Sequence, residues 1–267
     1  MKLAALLLAL VVVALAPAPA DASPPTGREV LERQEEARRL PSFQARAMLS
    51  TTRAGEAAKA AKKFRWWRKL SADKVHFVTL TRFDEPATIR GEGVLIREGK
   101  SANDVLLYLP HFKKVRRVEG QSQSSSFFGS VFSYSDVAMP HADDSTARVL
   151  REEACPGETL TCWVVEISPA TPAVRDRTGY SRSVQWIRQD NWVTVAGDFY
   201  DKKGKLWKRL TAREVKEVDP KAKKWLPHHV TLEDLQKRRT TVLRLADVKV
   251  NVSLDDSLFT EQNLASE

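Results

Sequence analysis

The residues of this 267-residue chain that chemistry would recruit first are two cysteines, five histidines and two pairs of adjacent aspartates. Cys155 and Cys162 bracket CPGETLTC, where Pro156-Gly157 marks a turn, and the apolar stretch WVVEI follows. The spacing is not C-x-x-C and no histidine lies near, which argues against redox catalysis or a metal site. In an oxidising compartment such a pair is expected to be a structural disulfide clamping a hairpin loop. Of the histidines, only His228 and His229 are neighbours in sequence. Adjacent residues of a strand point to opposite faces, which is a poor way to hold one metal ion. Asp143-Asp144 and Asp255-Asp256 precede expected turns or helix starts, and capping accounts for them. The motifs G-x-S-x-G, H-E-x-x-H, G-x-x-x-x-G-K-[ST] and G-x-G-x-x-G are all missing. Neither an enzyme, a bound metal nor a cofactor is expected.

Two unusual stretches remain. SSFFGSVFSYSDV, residues 125–137, is too apolar for a solvated loop and too rich in serine for a buried strand. KKFRWWRK, residues 62–69, sets two indoles among five cations. Lys63, Arg65, Trp66, Trp67 and Arg68 have two readings. One is an interfacial patch for an anionic membrane or a partner protein, with indoles at headgroup depth. The other is a strand with one inward tryptophan and a solvated basic face.

The elements that position these residues follow from punctuation and period. Lys2, the apolar run over residues 3–16 and Ala20-Asp21-Ala22 read as a cleaved secretory signal over residues 1–22. A single exported domain is expected over residues 23–267. The net charge of +9 would suggest nucleic acid in a cytosolic protein. For an exported chain it points to anionic membranes or acidic ligands, or simply to a solubilising surface. Thr26 and Glu29 form a capping box, predicting a helix over about residues 27–39 that Pro41 ends. Residues 54–63 fit either a second helix or a strand pair with a charged bend. Thereafter short β-branched and aromatic runs recur, at 75–82, 93–97, 105–109, 115–119, 163–167, 183–188, 192–200, 206–215, 229–235, 240–245 and 248–254. Eleven such strands argue for an antiparallel barrel or strongly curled sheet, with the front helix and a short tail helix over residues 256–264 covering its concave side.

Residues 89–137 then resemble the core of the outer-membrane lipoprotein-sorting family, the LolA-like proteins. The resemblance is carried by Gly91 and Gly93, Tyr108-Leu109-Pro110, the basic residues 113–117, and the serine-rich element with Ser126, Gly129, Ser130, Tyr134 and Asp136. Val131 and Ser135 depart from it, standing where the family usually has acids. The resemblance implies a mainly β (α+β) fold, a half-open antiparallel β-barrel of about eleven strands with covering helices around an apolar cavity. It implies a monomeric periplasmic carrier for a lipid or an acylated lipoprotein, with an inner-membrane transporter or an outer-membrane acceptor as a docking partner. A cargo-free peripheral membrane or transporter adaptor is the alternative. Phe77, Leu95, Leu107, Tyr108, Phe127, Phe128, Phe132, Trp186 and Trp192 are the candidate cavity lining, or else plain core. Gly129 is expected to permit a bend, and Asp136 to anchor its loop through Arg116 or Arg117.

Overall fold

The computed structural model describes residues 24–57, 60–99, 102–138 and 141–266, so the expected signal lies outside the described residues. Thirteen strands form one sheet: β1 Ser42–Arg53, β2 Lys62–Leu70, β3 Phe77–Glu85, β4 Gly93–Arg97, β5 Asp104–Leu109, β6 Lys114–Arg117, β7 Ser145–Ala154, β8 Thr161–Pro169, β9 Tyr180–Arg188, β10 Thr194–Asp201, β11 Leu206–Asp219, β12 Lys224–Asp234 and β13 Arg239–Val250. Their spatial order is 6-5-4-3-2-1-13-12-11-10-9-8-7. Two antiparallel meanders are therefore joined by the pairing of the first strand with the last. Strands β6 and β7 follow one another in sequence yet lie at opposite edges, so the sheet stays open as a half-barrel. The chain between them must cross the sheet from edge to edge, and SSFFGSVFSYSDV is part of that crossing.

Thirteen strands exceed the eleven read from the sequence because β1, β2 and β7 lack clean runs. Residues 240–245 and 248–254, counted as two strands, contribute to one, β13. The described part of residues 54–63 fits the strand-pair alternative, with a turn after Arg53 and β2 beginning at Lys62; residues 58–59 lie outside the described residues.

Strand pleat separates two faces. Ala47, Leu49, Phe64, Phe83, Val94, Ile96 and Val105 share the inner face with the crossing segment. Val78, Leu80, Leu95, Leu106 and Tyr108 point outward, beneath Leu254, Leu258, Phe259 and Leu264 of the C-terminal tail. The tail, including the short helix α4 (Glu261–Leu264), thus covers the outer face, not the concave side as expected. Coverage on both faces explains why the first seven residues of β3 are all buried. Gly93 makes room at this contact, since a Cβ there would meet Leu264 Cδ1 at 2.9 Å and Thr81 O at 3.1 Å.

The front helix keeps its expected place. In α1 (Gly27–Arg38) the capping box is formed: Glu29 N donates to Thr26 Oγ1 at 3.2 Å and Thr26 N to Glu29 Oε2 at 2.7 Å. The helix lies across the inner face from β7 to β12. Its first residue presses on β7 so closely that a Cβ on Gly27 would sit 1.8 Å from Ala147 O. Val30 packs into Val165 and Ile187. At the other end Lys224 Nζ reaches Glu36 Oε1 at 2.7 Å.

Candidate functional site: a cavity beneath α1

The inner face is packed most densely around the crossing segment. Phe127 and Phe128 meet Phe83 at ring-centre distances of 6.0 and 4.2 Å, and Phe127 lies 5.5 Å from Tyr134. Over β8–β12 the side chains of the sheet and of α1 do not meet everywhere. A cavity of about 290 Å³ remains there, at the lower end of the ~300–1,000 Å³ usual for small-ligand sites. Leu31, Gln34 and Arg38 of α1 form its roof, and Ile167, Gln185, Phe199, Leu210 and Leu232 its floor. Ser135, Ala138, Ala142, Ser145, Ser168 and Ser183 leave the space that larger side chains would fill. The short helix α3 (Pro172–Thr178) closes one side with Val174 and Thr178.

The crossing segment accounts for both ends. It is not a strand. Ser126 bridges Ser133, Gly129 adopts φ +73° in the turn between them, and Ser126 Oγ donates to Ser130 O. Val131 N donates to Thr241 Oγ1 of the central strand β13 at 2.9 Å. Helix α2 (Tyr134–Val137) follows, with Ser133 and Asp136 closing a capping box. The serines therefore satisfy local backbone while the aromatics pack.

Asp136 fixes the far end of the segment, but not through Arg116 or Arg117. Arg117 pairs with Asp104 at 2.8 Å, and Arg116 lies over the Phe112 ring. Asp136 instead accepts from Tyr180 OH at 2.8 Å and from buried Lys208 Nζ at 3.1 Å; Lys208 also donates to Tyr180 OH at 2.8 Å. Burial, and then the Asp136 charge, push the Tyr180 phenol well above its ordinary value, keeping it a donor. Lys208 and Tyr180 carried no marker in the sequence, since basic and aromatic strand residues are common.

A second polar group borders the cavity. His141 Nδ1 lies 3.6 Å from Glu35 Oε1 and its Nε2 3.5 Å from Glu98 Oε2. The close approach of Glu98 raises the His141 pKa against the opposing effect of burial, and Glu35 and Asp144 add to the rise. Glu98 Oε2 also accepts from Phe77 N at 3.0 Å. Among the described residues no group of histidine, cysteine, aspartate and glutamate could hold a metal ion.

Of the nine candidate lining residues, Phe132 faces this cavity. Phe127, Phe128 and Leu107 belong to the packed end, and Leu95 and Tyr108 lie beneath the tail. Phe77 sits under the Arg68 guanidinium. Trp186 packs by the Cys155–Cys162 disulfide and donates to Glu153, while Trp192 adopts φ +61° beneath Arg33. Gly91, at φ +80°, faces Pro110, which opens the turn after β5. In the basic stretch, Trp66 packs edge-on against Phe43 on the inner face. Trp67 lies outward beneath Arg65, with Arg65 and Lys63 paired to Asp84 and Glu85. Where acids are usual in the family, Val131 is buried and Ser135 lines the cavity.

An open antiparallel sheet, crossed by one helix and hollow beneath it, defines the class: a LolA-like fold. A family model described as "Uncharacterized protein" matches residues 78–266, and the chain belongs to that family. It is similar to a DUF1329 family protein from Desulfovibrio piger, with 26% identity and a TM-score of 0.82 over 89% of this chain and 97% of that one. It is also similar to a putative outer membrane lipoprotein-sorting protein domain from Vibrio parahaemolyticus, with 25% identity, TM-score 0.81 and coverage of 90% and 98%. A LolA superfamily protein from Nitrosomonas europaea shares the fold at 22% identity, TM-score 0.69, with coverage of 90% and 100%. No curated protein matches the chain. The resemblance read from residues 89–137 therefore holds for the fold, and the similarity to a putative lipoprotein-sorting domain agrees with it.

Proposed function

We propose that the protein is a periplasmic carrier that shelters an acyl chain, of a lipid or an acylated lipoprotein, in the cavity beneath α1. The observation that carries this reading is the cavity itself: a largely apolar hollow of about 290 Å³ in an otherwise packed interior. Each buried methylene gains about 0.8 kcal/mol, so such a hollow competes with a membrane without covalent chemistry. The kinship with a putative lipoprotein-sorting domain supports the same reading. On it, residues 1–22 export the chain, residues 23–267 act as one monomeric domain, and a membrane transporter and an outer-membrane acceptor are the docking partners. The test is uptake of a fluorescent fatty acid by the chain lacking residues 1–22. Wild type should bind, and Ala142→Trp, which fills the hollow, should reduce binding at least tenfold. No uptake by wild type removes the reading.

One observation favours the adaptor alternative. Phe112 is 57% exposed at the tip between β5 and β6, among His111, Lys113, Lys114, Arg116 and Arg117. An exposed ring among cations suits an anionic bilayer surface. Flotation with anionic liposomes should be salt-sensitive and weakened by Phe112→Asp. Flotation with no fatty-acid uptake would favour the adaptor over the carrier.

A further inference from the structure

Among the described residues, charged groups around the cavity are paired, but Arg38 on its wall and Arg68, on the neighbouring inner face, are not. Asp136 holds Lys208, Arg177 sits 2.8 Å from Asp144, and Arg182 reaches Glu166 at 3.4 Å. Arg38, in the last turn of α1, opens onto the cavity. Arg68, on the inner face of β2, is 6% exposed. The Nε atom of each is shut off from solvent without a hydrogen-bond partner. Among the described residues neither guanidinium makes a hydrogen bond or an ion pair. Arg68 lies instead over the rings of Phe43 and Phe77, at 5.6 and 5.0 Å.

The nearby carboxylates are engaged by other donors. Glu98 accepts from Phe77 N and faces His141; Glu35 accepts from Ala142 N at 2.7 Å and pairs with Arg39 at 3.3 Å. Burial pushes the Arg68 guanidinium down to about 10; Glu98 opposes the fall and the neighbouring charge of Arg38 adds to it. Two buried guanidiniums, close enough to repel, are costly to leave without acceptors. An oxyanion offers what they lack, because the planar guanidinium fork matches a pair of oxygens.

We propose that Arg38 and Arg68 form a receptor for the anionic end of the acyl cargo, a carboxylate or a phosphate. The apolar chain of that cargo occupies the cavity onto which Arg38 opens. This rests on the carrier reading and deepens it: the site selects anionic lipids over neutral ones and fixes which end of the cargo lies by α1. Free phosphate shares the headgroup chemistry but would leave the apolar walls unused.

The experiment titrates the chain lacking residues 1–22 with a fluorescent fatty acid, with its methyl ester, and with inorganic phosphate. The acid should bind about tenfold more tightly than the ester, as expected when charge-assisted hydrogen bonds are lost. In the double variant Arg38→Met/Arg68→Met that preference should vanish. Equal binding of acid and ester by wild type overturns the receptor while leaving the carrier standing. Failure of both probes removes the carrier reading and the receptor with it. Phosphate binding as tightly as the acid overturns the assignment to a lipid end group. The ligand-free thermal midpoint supplies the second measurement. Removing uncompensated buried charge should raise it. A lower midpoint with the acid preference retained would make both arginines structural and overturn the proposal.

Discussion

One face of one sheet is solid at one end and hollow at the other. Over β2–β5 it is filled by Phe64, Phe83, Phe127, Phe128 and Tyr134, rings in mutual contact. Over β8–β12 it is roofed by α1 above Ile167, Gln185, Phe199, Leu210 and Leu232, and Ser135, Ala138, Ala142 and Ser183 leave the gap between roof and floor. Strand direction does not distinguish the ends, since every strand pair is antiparallel. Side-chain volume does. The changeover falls inside SSFFGSVFSYSDV. Its residues up to Phe128 plug the solid end, Val131 is pinned to the central strand, and Phe132, Ser135 and Asp136 reach the cavity wall. On the carrier reading both are needed: one end supplies stability, and the other gives up packing to keep a space open.

The largest expected effect breaks this division if it is wrong. Phe127→Ala removes a fully buried ring from the solid end and should cost about 3–5 kcal/mol. Phe199→Ala removes a ring from a cavity wall that already lacks neighbours on one side, so its cost should stay below about 2 kcal/mol. Urea unfolding of both variants measures the difference. Equal losses would mean that the hollow end is packed as tightly as the solid one.

Much of the scaffold was legible in the sequence because it rests on local rules. The capping box at Thr26 and Glu29, the disulfide around Pro156-Gly157 and the β-branched runs depend on neighbours within a few residues. The β1 and β7 strands were missed because their polar and charged residues blur the period, and β7 is a largely solvated edge. The site was harder. Aromatic residues drew attention as cavity lining, yet large rings fill space, and the cavity is marked by small residues that carry no signal of their own. The partners of Asp136 were equally hidden: Tyr180 and Lys208 are 44 and 72 residues away in sequence, and only the crossing of the sheet brings them together. Arg68 reads as part of the solvated basic face because the run is rich in cations, although strand alternation sets it opposite Lys63 and Arg65, on the side of Phe64 and Trp66. The pleat turns it inward, beside Phe43 and Phe77.

The smallest expected effect sharpens the contrast through pH. At the solid end, burial, with Glu92 adding, pushes the Tyr134 phenol up to about 12, so that ring stays neutral throughout the physiological range. At the hollow end His141 lies among Glu98, Glu35 and Asp144, which together hold its pKa above the ordinary 6.5, with Arg38 and Arg68 set near Glu98. A histidine whose pKa is higher folded than unfolded binds its proton more tightly in the native state. Its contribution is therefore fully present below about pH 6.5, the unfolded value, and is lost as pH rises through the raised folded value. The stability difference between wild type and His141→Gln, followed by urea unfolding from acid to mildly alkaline pH, should shrink as pH rises. Phe127→Ala should shift the whole curve without that slope. A difference that grows with pH would mean that His141 is held neutral, and that burial rather than the surrounding carboxylates governs the hollow end.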